Sequence, residues 1–125
     1  MVCIFCDISH NDPKKQVLTA FTPEELLNTT GVVIIEPLNP CVEGHLLFIP
    51  DTHVASIGSG DDQEVIASTF KAVNIYLQEH PMDCNIITNN GANADQTVFH
   101  LHVHLIPRHT GDTTKLPWTY QKDNQ

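Results

Sequence analysis

Positive charge is what this 125-residue chain has least of: six lysines and arginines face 15 aspartates and glutamates, a formal net charge of −9. A surface of that sign repels nucleic-acid backbones and anionic membranes, so neither is an expected partner. An anionic small ligand fits only at a site made locally positive against the field of the whole chain. No apolar run reaches membrane-spanning length, and no basic-then-apolar leader follows Met1. The expected compartment is the cytoplasm. Repeats, low-complexity blocks and domain linkers are also missing. With 41% hydrophobic and 17% charged residues, the composition is that of a folded domain, long enough for one core. The single tryptophan, Trp118, is expected to anchor the tail or a subunit contact.

Four cysteines are present. Cys41 and Cys84 stand alone and are expected simply to pack. Cys3 and Cys6 form Cys-Ile-Phe-Cys. In a reducing compartment that spacing points to a metal site or a redox pair rather than a structural disulfide. A redox pair belongs at a helix start after a strand. This pair opens the chain, which favours metal.

The rest of the chain alternates strand and helix signals. A polar turn is expected at Asp7–Ile8–Ser9–His10–Asn11–Asp12–Pro13, and a short strand at Val17 to Phe21. Thr22–Pro23–Glu24–Glu25 carries a capping box with proline at the first helical position, so a short helix starts there. Val32–Val33–Ile34–Ile35 reads as a buried strand, and Gly44 to Pro50 as its antiparallel neighbour. Asp61 or Asp62 caps a longer helix whose apolar stripe is Val65, Ile66, Phe70, Val73 and Leu77, ended by Pro81. Cys84 to Asn89 reads as a third central strand, followed by a polar loop from Asn90 to Asp95. The expected fold is α+β: an antiparallel sheet of about five strands with one main helix and a short one.

The loop feeds the most informative stretch, Val98–Phe99–His100–Leu101–His102–Val103–His104–Leu105–Ile106. Strict alternation predicts a strand with His100, His102 and His104 on one face and Phe99, Leu101, Val103 and Leu105 in the core. Imidazole titrates nearest neutrality, so such a face suits proton transfer, metal binding or nucleophilic attack. Residues two apart on a strand are about 6.8 Å apart and four apart about 13.6 Å. One zinc ion, with ligand nitrogens about 2.0–2.1 Å away, can join two neighbours but not His100 with His104. A zinc site using two of them with a distant third ligand stays open. So does nucleophilic catalysis, which needs one ring nitrogen free and the other held as a donor. Gln96, Thr97 and the loop beside them add neutral groups for a phosphate ester or anhydride.

The segment from His100 to Ile106 resembles the histidine-triad signature, in which three histidines alternate with apolar residues. Gly44–His45–Leu46–Leu47–Phe48–Ile49–Pro50 with His53 resembles that family's Gly-His strand. Asn89–Asn90–Gly91 through Gln96–Thr97–Val98 resembles its phosphate-side loop, and Cys3–Ile4–Phe5–Cys6 the zinc pair of its bacterial-type branch. The likeness covers residues 1–108, expected to form the domain. Residues 109–125 are expected to be a tail packed on it or on a dimer partner.

The resemblance implies nucleotidyl transfer to the middle histidine, followed by hydrolysis. It makes His102 the nucleophile, with His104 at the phosphate and leaving group and His45 supporting the cluster. It places Gln96 and Thr97 on phosphate oxygens, with Asn89 nearby. A separate structural zinc would be held by Cys3, Cys6, His53 and His100. It further implies a homodimer and a purine nucleotide conjugate as substrate. His10, His80 and His109 are assigned to solvent. Two positions depart from the family pattern. Pro37 occupies the place of the ribose-binding acid or amide, leaving Glu36 or Asn39 to act there. Asp95 replaces a glycine, and its carboxylate would repel phosphate unless turned away. The leading expectation is a hydrolase of nucleoside phosphoramidates or related conjugates. Dinucleoside polyphosphate hydrolysis and a zinc-stabilised nucleotide-binding module with little turnover are the alternatives.

Overall fold

A computed structural model of the chain describes residues 3–6, 17–28, 30–60 and 62–118. The expected turn at Asp7–Pro13, His10, Asp61 and the tail beyond Trp118 lie outside the described residues.

Five strands form one antiparallel sheet: β1 (Val17–Phe21), β2 (Val32–Ile35), β3 (Leu46–Pro50), β4 (Cys84–Ile87) and β5 (Val103–Pro107). Their order across the sheet is β1-β2-β3-β5-β4. Helix α1 (Pro23–Leu26) follows β1, and α2 (Gln63–Glu79) joins β3 to β4. The expected α+β architecture is therefore present. Thr22 accepts from the Glu25 amide while the Glu25 side chain accepts from the Thr22 amide, so the capping box forms as its residues predict. Asp62 caps α2 by accepting from Glu64 and Val65.

The two faces of the sheet carry different cores. One face packs Val32, Ile34, Phe48, Val103 and Leu105 against Ala72 and Val73 of α2. Phe48 is fully buried and meets Tyr76 edge to face, with ring centroids 5.6 Å apart; burying such a ring stabilises the fold by about 2–3 kcal/mol. The other face joins Val33, Ile35, Leu47 and Ile49 to Phe5 from the N-terminal segment. In register, Leu47 pairs with His104 and Phe48 with Val103. The alternation from Val103 to Ile106 thus places His104 on the Phe5 face and its apolar neighbours under α2.

Five expectations need correction. The expected strand does not run through the whole triad: the chain bends at residues 98–100, and β5 begins only at Val103. Phe99, expected in the core, is half-exposed. β4 is an edge strand rather than a central one. The buried line of α2 runs through Val65, Ser68, Thr69, Ala72 and Val73, with Ile66, Phe70 and Leu77 on its flanks. Small residues are buried there because the helix lies close on the sheet, and Thr69 returns its hydroxyl to the Val65 carbonyl. Cys41 is exposed rather than packed, whereas Cys84 borders the core. His80 and His109 are exposed, as expected. Trp118 is half-exposed.

Candidate active site and metal centre

The bend before β5 is held by bonds to the chain just after β3. The Leu101 amide donates to the Val54 carbonyl at 2.6 Å, and His100 Nε2 donates to the Pro50 carbonyl at 2.8 Å. These partners replace a sheet neighbour, so the three histidines fan apart instead of lining one strand face. His100 turns to the N-terminal segment, while His102 and His104 turn to a cleft.

Cys3, Cys6, His53 and His100 converge, with their four ligand atoms all within 4.8 Å of one another. Cys3 Sγ lies 3.4 Å from His100 Nδ1, Cys6 Sγ lies 3.3 Å from it, and the two Nδ1 atoms are 3.2 Å apart. Tetrahedral zinc with its usual bond lengths spaces sulfur and nitrogen about 3.5 Å apart and two nitrogens about 3.3 Å apart. The donors therefore fit one zinc ion. The Pro50 carbonyl can only accept, so His100 Nε2 carries the proton and Nδ1 keeps its lone pair for a metal. Two sulfurs and two nitrogens complete the tetrahedron and leave no open position for substrate.

His102 is buried, and its Nδ1 donates to the His100 carbonyl at 2.8 Å. That bond fixes the tautomer and leaves Nε2 with a free lone pair. Burial lowers the His102 pKa, against the raising effect of the His100 carbonyl. His104 is lowered to about 4 by burial and by the neighbouring His102 and His45. Burial also lowers His45. All three rings are thus neutral at pH 7.

Their protons have a direction. The Cys41 amide donates to His45 Nδ1 at 3.1 Å, so His45 carries its proton on Nε2. That atom meets His104 Nδ1 at 2.9 Å, so His104 carries its own proton on Nε2. A free lone pair on His102 therefore stands beside an N–H donor on His104, with the two ring centroids 5.2 Å apart. Gly44 makes this possible: its φ of +86° leads the chain into His45 in a conformation that other residues rarely adopt.

Two clefts meet at His45 and His104. The first, about 340 Å³, is also lined by His102, Thr97, Phe5, Ile35, Glu36, Pro37, Leu38 and Asn39. The second, about 570 Å³, is lined by Cys41, Ile87, Asn89 and the segment from Thr113 to Leu116. Thr97 and Asn39 thus share a cleft with the expected nucleophile, and Asn89 reaches the other side of His104. Gln96 does not reach either. Its buried amide accepts from the Gly91 amide and donates to the carbonyls of Ala55 and Val98, so it braces the loop. Asp95 sits at φ +65°, exposed and outside both clefts. Aspartate tolerates that left-handed conformation better than most residues, and its carboxylate is turned away from the site. Pro37 is at the first cleft with Glu36 and Asn39 on either side of the Pro37–Leu38 pair.

Two contributors escaped the sequence reading. The Thr88 hydroxyl donates to the His102 carbonyl at 2.8 Å and pins the backbone of that residue. The Phe5 ring stands edge to face on both His102, at 4.9 Å, and His100, at 6.1 Å. Their only signal was position: Thr88 ends the strand beside the triad, and Phe5 lies between the two cysteines.

Comparison with known proteins agrees with this geometry. The HIT domain family matches residues 22–111. The chain is 32% identical over 107 residues to the adenosine 5'-monophosphoramidase HNT1 of Saccharomyces cerevisiae, covering 85% of this chain and 62% of that protein. It is 31% identical over 114 residues to the adenylylsulfatase HINT3 of Arabidopsis thaliana, covering 88% and 54%. Among solved structures, a zinc-bound histidine triad family protein from Mycobacterium smegmatis superposes with a TM-score of 0.69 at 31% identity, covering 93% of this chain and 81% of that one. The chain belongs to the HIT domain family.

The low pKa of His104 has a consequence for stability. Unfolded, the ring takes a proton near pH 6.5; folded, it does so near 4. Between those values the unfolded state holds more protons, so stability falls as pH drops through the window and is regained above it. Chemical denaturation at stepped pH should show this slope, and His104→Gln should flatten it. An identical slope in the variant would refute the assignment.

Proposed function

We propose that the protein is a nucleotide hydrolase that cleaves nucleoside phosphoramidates or related nucleotide conjugates at the α-phosphate through a nucleotidyl-histidine. One observation carries the reading: His102 holds an unprotonated Nε2 in a cleft beside the His104 N–H donor. In this reading the nucleobase, a purine, lies on Phe5, Ile35, Leu38 and Leu47, and the ribose near Glu36 and Asn39. Thr97, Asn89 and His104 surround the phosphate. Attack by Nε2 forms the phosphorus–nitrogen bond as the leaving group departs. Water then breaks that bond, releasing the nucleoside monophosphate and restoring the ring. The yeast and plant relatives, named a monophosphoramidase and an adenylylsulfatase, support cleavage at that phosphorus. Dinucleoside polyphosphates fit the same chemistry, because the second cleft has room for a larger leaving group.

Zinc has a structural role here. None of its four donors lines the first cleft, and it would supply folding free energy by tying the N-terminal turn to residues 53 and 100. The reading also includes a homodimer in the cytoplasm. Among the described residues the outer edge of β4 is unpaired, and Ile86 and Ile87 are exposed on that strand, as on a sheet edge awaiting a partner. Four free thiols suit a reducing compartment. Among the described residues no helix is long and apolar enough to cross a membrane.

Incubation with adenosine phosphoramidate should release adenosine monophosphate. His102→Ala should lower the rate on the order of 10⁴-fold or more, since the covalent route is lost. No product from the intact protein across several adenylyl conjugates would defeat the proposal. Metal analysis after purification without chelator should find about one zinc per chain. Chelation or Cys6→Ser should lower the melting temperature; zinc-free protein of unchanged stability would remove the metal claim. Sedimentation at micromolar concentration should give twice the mass of the chain, and a monomer would remove the dimer.

A further inference from the structure

The second cleft has a property that the reaction chemistry makes specific. Only one cation lines either cleft among the described residues, and it is Lys115 in the second. Three cations are described at all: Lys71, Arg108 and Lys115. Lys71 belongs to α2, on the opposite side of the sheet from His104. Arg108 is consumed locally. It makes a two-pronged pair with Asp112 at 2.8–2.9 Å and donates to Asn85 Oδ1 and the Thr114 carbonyl, both at 2.7 Å. This clamp ties the chain after β5 to Asn85 of β4, and Thr113, Thr114 and Lys115 line the same cleft as His104. Lys115 has no ion-pair partner among the described residues.

The two clefts differ in one functional residue. His102 lines the first and not the second, whereas His45 and His104 line both. Displacement at phosphorus places the attacking and leaving atoms roughly in line. With the nucleoside in the first cleft and His102 attacking there, the leaving group must exit past His104 into the second. The relay from the Cys41 amide through His45 fixes His104 as a neutral N–H donor, with its other nitrogen already occupied. Such a ring can hydrogen-bond a departing atom, and a leaving group that departs as a stable anion needs no proton from it. An anion does need compensating charge, in a chain whose net charge is −9.

We propose that the second cleft is the leaving-group subsite and that Lys115 makes it selective for conjugates whose leaving group is an oxyanion, such as sulfate or phosphate. Lys115 is a specificity-determining residue, brought to the cleft by the Arg108 clamp. The inference rests on the hydrolase reading above. During reaction the His102 nitrogen–phosphorus bond forms, the bond from phosphorus to the bridging oxygen breaks, and the electron pair leaves with that oxygen. Water later supplies the hydroxyl of the monophosphate and the proton that balances the step.

The test compares adenosine 5'-phosphosulfate, which loses sulfate, with adenosine phosphoramidate, which loses ammonia. In the intact protein kcat/KM should favour the phosphosulfate. Lys115→Ala should lower the phosphosulfate-to-phosphoramidate ratio about tenfold, as expected for one charge-assisted contact. Lys115→Arg should largely restore it, and added salt should shrink the difference. An unchanged ratio in Lys115→Ala overturns the inference. A binding arm separates its failure from that of the parent reading. In a His102→Ala background, calorimetry should show Lys115→Ala weakening phosphosulfate but not adenosine monophosphate. If the monophosphate binds and the phosphosulfate ignores Lys115, only this inference falls. If neither nucleotide binds, both readings fall.

Discussion

The contact on which the site depends is the hydrogen bond from His102 Nδ1 to the carbonyl of His100. It decides which nitrogen of the ring is free, and so whether the ring can attack. In a regular strand that bond cannot form. Carbonyls there lie in the sheet plane and point to a neighbouring strand, while side chains stand perpendicular to it. The carbonyl of residue 100 becomes reachable from the side chain of residue 102 only because the chain leaves the sheet at 97–102. The bend is therefore the condition for the tautomer. It is sustained by Pro50 and Val54, which take the hydrogen bonds that a strand neighbour would have taken.

The same bend divides the histidines between two chemistries. His100 offers its carbonyl to His102 and its ring to the thiol pair, so one residue links the donor cluster to the proposed nucleophile. Phe5 adds a second link, since it lies between the two cysteines in sequence and packs on both rings. The N-terminal turn thus walls the first cleft and also carries two of the four clustered donors. Losing the turn would remove the packing that restrains His102 along with two of the four donors. Stability and reactivity are coupled here by contact and not by any shared ligand.

Much of this was legible in the sequence, and the misses share a cause. Spacing alone indicated that His100 and His104 could not share an ion, and the structure separates them. The capping box at Thr22 and the pairing of β2 with β3 also followed from local pattern. Alternation misled at Val98–Leu101. An apolar-polar period is also what a bent segment shows when it is pinned from one side, as Leu101 is buried while Phe99 is exposed. The loop contacts of Gln96 were not legible either, because a polar residue beside such a loop can serve the loop as readily as a ligand; its amide meets three backbone groups. The Thr88 contact to the His102 carbonyl was invisible because the two residues are 14 positions apart and meet only once β4 and β5 pair.

The electrostatic design explains why the first cleft holds no cation. A fixed positive charge beside His102 would keep its ring neutral, but it would also compete for the phosphate and hold it away from Nε2. A carboxylate there would raise the ring's pKa and protonate the nucleophile. Neutral donors avoid both outcomes. The relay through His45 presents an N–H dipole at His104 without charging either ring, and such a dipole gains strength in a site shielded from water. Among the described residues, Glu36 is the one acid that lines this cleft. Charge is useful only beyond His104, where it meets the atom that must leave instead of the atom that must attack. That places a cation where it aids departure without holding the phosphate back from His102.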